Sequence, residues 1–214
     1  MFADRIQAGR LLADKLTEDL TGVASNNILV LSIPRGGVVI GSELAKKLVC
    51  PHDIIVTKKL RAPDQEELAI GAVGETKGSL YLNKKLAERV GVDDDYLAQE
   101  IKNRQKEIKR REKIYRGNKK ELSLERKTVI IVDDGAATGA TMMAAAREIW
   151  NRNPRKVIIA LPVCARDTLK KLEKEVDAVI VLEVPALFYA VGQFYQNFPQ
   201  LSDVEVREIL DNSN

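Results

Sequence analysis

Imidazole and thiol chemistry are nearly absent from this chain. Its 214 residues include one histidine, His52, and two cysteines, Cys50 and Cys164. A Ser-His-Asp triad or a structural zinc centre needs more of these groups than are available, so neither is expected and no metal site built from protein ligands is proposed. Two cysteines are too few for a disulfide framework and read as small buried apolar residues. Aromatic residues make up 5% of the sequence. No apolar run approaches the roughly 18 to 20 residues of a membrane span. The first sixteen residues, MFADRIQAGRLLADKL, interleave charge with apolar side chains at helical spacing and lack the uninterrupted apolar stretch of a signal peptide. The cytoplasm is therefore the expected compartment, and no membrane partner is expected.

What remains is an ordinary globular composition, 45% apolar and 30% charged, in a chain long enough to bury a core without staples. Net charge is +3 but unevenly placed: Lys102 to Lys120 holds ten Lys or Arg against two Glu. Clustered positive charge of this kind can attract a polyanion.

The first half is read as an amphipathic helix from Phe2 to Leu20, with Ile6, Leu12, Leu16 and Leu20 on one stripe. A turn follows at Asn26-Asn27, then an apolar run at Ile28 to Ile33 and a helix in VVIGSELAKKL. Further apolar runs occupy Ile54 to Thr57 and Ala69 to Val73, separated by an exposed loop around LRAPDQEEL. Ser79 to Asn83 suggests a short extra strand. Asp93 to Arg116 is expected to be one long helix, acidic at its start and basic at its end as the helix dipole favours. Its apolar positions Leu97, Ile101, Ile108 and Tyr115 form a narrow stripe, so most of it is expected to face water or a partner.

The second half alternates Val/Ile strands (Val129 to Val132, Lys156 to Val163, Ala178 to Leu182) with helices (Ala140 to Asn151, Arg166 to Glu175). Continuous apolar strands alternating with helices indicate a parallel sheet buried on both faces, a doubly wound α/β fold. Five of the nine Phe and Tyr residues fall between Pro185 and Phe198, and a last helix covers Asp203 to Leu210. We divide the chain into an α/β core, residues 1–184, and a C-terminal segment, 185–214.

The segment TVIIVDDGAATGAT, Thr128 to Thr141, carries the chemistry. A buried strand ends in Asp133 and Asp134, passes through small residues, and enters a helix near Gly139. Ligands of open α/β sheets bind at the carboxyl ends of strands, and a helix start offers free N–H groups to an anion. Gly135, Ala136, Ala137, Gly139 and Ala140 allow close approach of a phosphate, and the Thr138 and Thr141 hydroxyls can donate to it. The paired carboxylates suit the two donors of a vicinal diol. Phosphate and diol one sugar apart describe a ribose 5-phosphate. A plain helix cap would account for one carboxylate, not for two beside two glycines and two threonines. No P-loop and no G-x-G-x-x-G fingerprint is present.

Val129 to Thr141 resembles the phosphoribosyl diphosphate signature of the type I phosphoribosyltransferases at every defining position. The strand and helix order from about Asn27 to Leu182 is similar to that family's fold, and the aromatic tail resembles its C-terminal hood. The resemblance implies a phosphoribosyltransferase-type sheet with helices on both faces and a small hood. It implies transfer of ribose 5-phosphate from phosphoribosyl diphosphate to a nitrogenous base, a purine being one candidate. Magnesium would be carried mainly by the substrate, and the protein would be a homodimer. By the same resemblance, Pro34-Arg35-Gly36-Gly37 stands where pyrophosphate is held, with Arg35, Gly36, Gly37 and Lys59 as its ligands. Leu60 to Leu68 would be the mobile loop, with one of Lys58, Lys59 or Arg61 as the candidate to neutralise the leaving group. Asp133 and Asp134 would orient the ribose. Phe188 and Val191, before Gly192, would contact the base, although one extra residue separates them and Gln193 replaces the usual acid. Two other readings stand beside this one. One is a regulator that senses phosphoribosyl diphosphate and binds nucleic acid through the 102–120 helix. The other is a subunit that assembles through that helix.

Overall fold

The computed structural model describes residues 1–213. Its elements, in chain order, are α1 (Arg5–Asp19), β1 (Ile28–Ser32), α2 (Gly37–Leu48), β2 (His52–Ile54), β3 (Lys58–Ala62), β4 (Gln65–Val73), β5 (Tyr81–Leu82), α3 (Lys84–Arg89) and α4 (Asp94–Arg116). They continue with β6 (Thr128–Val132), α5 (Ala140–Trp150), β7 (Lys156–Val163), α6 (Arg166–Leu172), β8 (Ala178–Glu183) and α7 (Asp203–Asp211).

Five parallel strands form the main sheet in the order β2-β1-β6-β7-β8. Successive side chains of a strand point to opposite faces, so each apolar strand feeds two cores. Ile28 and Val30 of β1 and Ile130 and Val132 of β6 pack with Leu12 and Leu16 of α1 and Ile40 and Leu44 of α2. Leu29, Leu31, Val129 and Ile131 face the other way, onto Met142, Met143, Ala146 and Ile149 of α5. The fold is therefore the expected doubly wound α/β sheet with helices on both faces.

From β1 the chain turns to β2 on one side, while β6 lies on the other, so the order reverses between β1 and β6. Their C-terminal ends face a common crevice, where ligands of open α/β sheets bind. The loops after those two strands hold the acidic pair and the Pro34-Arg35-Gly36-Gly37 turn.

Three expectations need correction. Leu60 to Leu68 is not an exposed loop: β3 and β4 form an antiparallel hairpin closed at Pro63-Asp64, with Ala62 opposite Gln65 and Asp64 in the left-handed region at φ 56°. Leu60 is fully buried, because the hairpin shares a third core with Ile70, Ile108, Tyr115 and Val206. The long helix α4 is open to solvent over most of its length, as expected, with Glu100, Ile108 and Tyr115 buried, but its start shifts. It begins one residue after Asp93, whose carboxylate caps the Tyr96 amide, and its stripe of Leu97, Ile101, Ile108 and Tyr115 covers the hairpin and α7 of the same chain. Finally, Ile6 is 43% exposed while Arg5 is buried. The buried stripe of α1 runs Arg5, Ala8, Leu12, Leu16.

Part of the basic segment is paired within the chain. Arg104 pairs with Glu100 and Glu107, Arg116 with Asp53, and Lys119 with Asp211. Lys102, Lys106, Arg110, Lys113 and Lys120 stay exposed on the same segment. Among the described residues no helix is long and apolar enough to cross a membrane.

Candidate functional site

β1 ends at Ser32, and the Ile33 amide still donates to the Val132 carbonyl, 2.9 Å away, so the two strand ends stay locked side by side. The Pro34–Arg35 peptide is cis, Arg35 is half-buried, and Gly36 caps α2 without a side-chain hydrogen bond. A Cβ on Gly36 would stand 1.8 Å from Asp134 Oδ2, and one on Gly37 2.8 Å from the Val132 carbonyl oxygen. The glycines are there for room. The turn after β1 lies directly against the acidic pair after β6, two segments the sequence could only pair by resemblance.

Within the loop, Asp133 Oδ1 accepts the Asp134 amide at 2.8 Å. The loop is then tied to the end of β7: the Ala136 amide donates to Val163 and the Ala165 amide to Ala136, both at 3.0 Å. The Thr168 hydroxyl donates to the Ala137 carbonyl. Gly135 sits beneath the Val163 and Val191 side chains, where a Cβ would lie 2.8 Å from each. Gly139 takes a left-handed conformation, φ 72°, and starts α5 without a side-chain cap. The first-turn amides of α5 are thus presented to the crevice, beside the exposed Ala137 and Thr138 and the half-buried Thr141.

Two carboxylates side by side at a strand end resist ionising together. Burial, followed by the charge of Asp134, pushes Asp133 well above the usual carboxylate range. Asp134 is also raised by burial, but Arg5 opposes this. Arg5 Nε lies 2.9 Å from Asp134 Oδ2, Arg5 Nη1 donates to the Pro199 carbonyl at 2.8 Å, and the guanidinium stacks 3.7 Å from the Phe198 ring centroid. The Tyr195 hydroxyl donates to the Asp134 carbonyl at 2.6 Å. The chain start completes the same wall: the Phe2 amide donates to Phe194 and the Gln196 amide to Phe2.

A cleft of about 650 Å³ opens beside this loop. Lys59 of the hairpin, Ala137, Thr138 and Ala140 of the strand-end loop, Arg166 of α6 and Phe188 of the tail line it. A larger hollow, about 790 Å³, lies at the other end of the sheet around Cys50, Pro51 and Leu210, away from the strand ends that carry the acidic pair. Both cysteines are buried, and burial pushes each thiol up to about 12, which leaves them unreactive.

The candidates therefore separate. Lys59, Ala137, Thr138, Ala140 and Phe188 line one cleft, and Gly36 and Gly37 abut Asp134 and Asp133 at the neighbouring strand ends. Lys58 does not join them: β-alternation turns it to the other face of the hairpin, where its ammonium pairs with Glu107 of α4. Val191 packs over Gly135, while Phe188 lines the cleft and contacts Phe194 at 5.0 Å between centroids. Arg5 and Arg166 were missed. Arg5 had a legible signal, a cation in phase with Ala8, Leu12 and Leu16 on an otherwise apolar stripe.

An acidic strand end and an uncapped helix start meet at the topological switch point of an α/β sheet. The model of the phosphoribosyl transferase domain matches residues 3–197, and the chain belongs to that family. It is 39% identical over all 214 residues to a Mycobacterium tuberculosis protein provisionally named a phosphoribosyl transferase, of which the match covers 47%. The chain thus spans about half the length of the curated relatives it matches along its whole length. The crystal structure of the protein TT1426 from Thermus thermophilus superposes with a TM-score of 0.79 at 36% identity, covering 98% of this chain and 97% of that one. A shorter match, 37% identity over 82 residues, is to a ribose-phosphate pyrophosphokinase of Sulfurisphaera tokodaii, covering 38% of this chain and 26% of that protein.

Proposed function

We propose that the crevice between β1 and β6 binds phosphoribosyl diphosphate and transfers its ribose 5-phosphate to a nitrogenous base, releasing pyrophosphate. The observation that carries this reading is the contact between the glycine turn and the acidic pair, Gly36 against Asp134 Oδ2. It brings a diphosphate-sized turn and a diol acceptor within one sugar length. The partial likeness to a ribose-phosphate enzyme supports the same ligand class.

In this reading the α5 start, with Thr138 and Thr141, receives the 5-phosphate. Asp133 and Asp134 accept the ribose hydroxyls. Arg35, whose planar guanidinium suits phosphate oxygens, binds the diphosphate with the Gly36 and Gly37 amides and Lys59. The nitrogen–C1 bond forms as the C1–oxygen bond breaks, the electron pair leaves with pyrophosphate, and the nitrogen's proton goes to solvent. The chain's contribution is positioning, charge stabilisation of the leaving group and exclusion of water. Phe188 offers a face for the base; a purine is one candidate.

Magnesium fits as an ion carried by diphosphate and ribose oxygens. Bound there it would neutralise charge on the leaving group, and no side chain of this chain is assigned to it. Homodimerisation and a cytoplasmic setting belong to the same reading, the first by family resemblance and the second by the two buried free thiols.

Thermal unfolding with phosphoribosyl diphosphate and magnesium, against ribose 5-phosphate as control, is the first test. At a hundred times its dissociation constant a native-state ligand stabilises by about 2.7 kcal/mol, a shift on the order of 5 to 10 °C for a chain of this size. Pyrophosphate release with a panel of bases follows. No shift, and no release with any base, would refute the assignment.

A further inference from the structure

The side chain that engages the acidic pair most directly comes from neither the strand-end loop nor the glycine turn. Arg5 lies on the first helix, 129 residues from Asp134, and its side chain is 9% exposed. A buried guanidinium is costly unless its N–H groups find acceptors. Here three fixed contacts hold it: Asp134 Oδ2, the Pro199 carbonyl and the Phe198 ring. It also borders the glycine turn, with Nε 3.0 Å from where a Gly36 Cβ would stand.

We propose that Arg5 is a positioning residue of the sugar site: it takes one oxygen of Asp134 and so presents the other to a ribose hydroxyl. The inference rests on the reading that Asp134 receives the ribose. A carboxylate at a strand end can rotate about its terminal torsion, which is broad and roughly two-fold. A guanidinium held at three points removes that freedom before ligand arrives, so ordering costs less on binding. Its charge also opposes the burial that raises the Asp134 carboxyl. The charged and titratable groups facing Asp134 are Arg5 from α1, Asp133 from its own loop and Tyr195 from the C-terminal segment, with Glu183 at the end of β8 acting on Tyr195. Arg5 is the one cation in that set. Because the same guanidinium grips Pro199 and Phe198, the C-terminal segment and the carboxylate are set together.

The test is calorimetric titration of the full chain, wild type, Arg5→Gln and Arg5→Lys. Three probes are used with magnesium: phosphoribosyl diphosphate, ribose 5-phosphate and inorganic pyrophosphate. Arg5→Gln is expected to weaken both sugar ligands about ten- to a hundredfold, the factor that a charge-assisted hydrogen bond corresponds to, and to leave pyrophosphate within about threefold. Arg5→Lys should recover part of the loss, because it keeps the charge but not the fork. The acid limb of phosphoribosyl diphosphate binding should move to higher pH in Arg5→Gln, since Asp134 then protonates more readily. Equal weakening of all three probes with an unmoved pH limb would mean a structural role and overturn the proposal, as would unchanged or tighter sugar binding. If Arg5→Gln does not fold, Arg5→Lys decides by the same split between sugar ligands and pyrophosphate. Wild-type protein that binds pyrophosphate but neither sugar ligand would instead refute the ribose assignment of Asp134, and this inference with it.

Discussion

Gly36→Ala is a one-methyl change whose outcome can be worked from the contact it would make. Gly36 has φ −58° and ψ −39°, a conformation alanine adopts freely, so backbone strain plays no part. A Gly to Ala change at a compatible position ordinarily stabilises by about 0.4 to 1 kcal/mol through the unfolded chain. Against that, the new methyl would lie 1.8 Å from Asp134 Oδ2 and 2.6 Å from its Cγ. The carboxylate must retreat by more than an ångström. Arg5 Nε is 3.0 Å from the same methyl, so the 2.9 Å hydrogen bond between Arg5 and Asp134 does not survive intact. Losing a hydrogen bond between charged groups costs about 1.5 to 3 kcal/mol, which exceeds the unfolded-state gain. The expected net effect is destabilisation of about 1 to 2 kcal/mol, together with about tenfold to 150-fold weaker binding of phosphoribosyl diphosphate. Urea unfolding and calorimetric titration measure the two. Stability at or above wild type with affinity within about threefold would refute the claim that the glycine turn and the acidic pair share one site.

Asp134→Asn should weaken phosphoribosyl diphosphate by about 1.5 to 3 kcal/mol in calorimetry; unchanged affinity would remove Asp134 from the ribose site. Leu60→Ala should cost about 2 to 5 kcal/mol in urea unfolding, the range for emptying a fully buried leucine site; a cost near zero would restore the exposed-loop reading of this segment. Glu112 is held back from ionising by burial, reinforced by Glu75 and Glu121 against the opposing Arg116, and its acidity is pushed to about 7. The folded chain then keeps a proton that an ordinary glutamic acid, at 4.5, has released. Stability therefore falls as pH rises from about 4.5 to about 7 and stays low above it. Glu112→Gln should remove that loss, gaining about 1 to 3 kcal/mol at pH 8 and little at pH 4.5; equal differences at both values would contradict it.

The parallel strands and the Asp133 to Thr141 loop were legible in the sequence because both are local. A buried parallel strand writes itself as consecutive Val and Ile, and an anion-accepting helix start needs its small residues and hydroxyls next to one another. The span of α4 was readable for the same reason, although Asp93 is its cap and not its first residue. The hairpin was not. The charged and turn-forming residues Lys58, Lys59, Pro63 and Asp64 hide a strand pairing that depends on α4 covering Leu60 and Ile70. Which of two adjacent lysines faces the crevice follows from the register of β3 against β4, and that register is set only when α4 packs against them. Arg5 shows the same division most plainly. Its phase on α1 could be read from spacing, but its partner lies 129 residues away. That pairing exists because α1 lies on the sheet beside the β6 end and the C-terminal segment closes over both. Periodicity along the chain determined the elements, and the packing of distant elements decided which charged side chains meet at the strand ends.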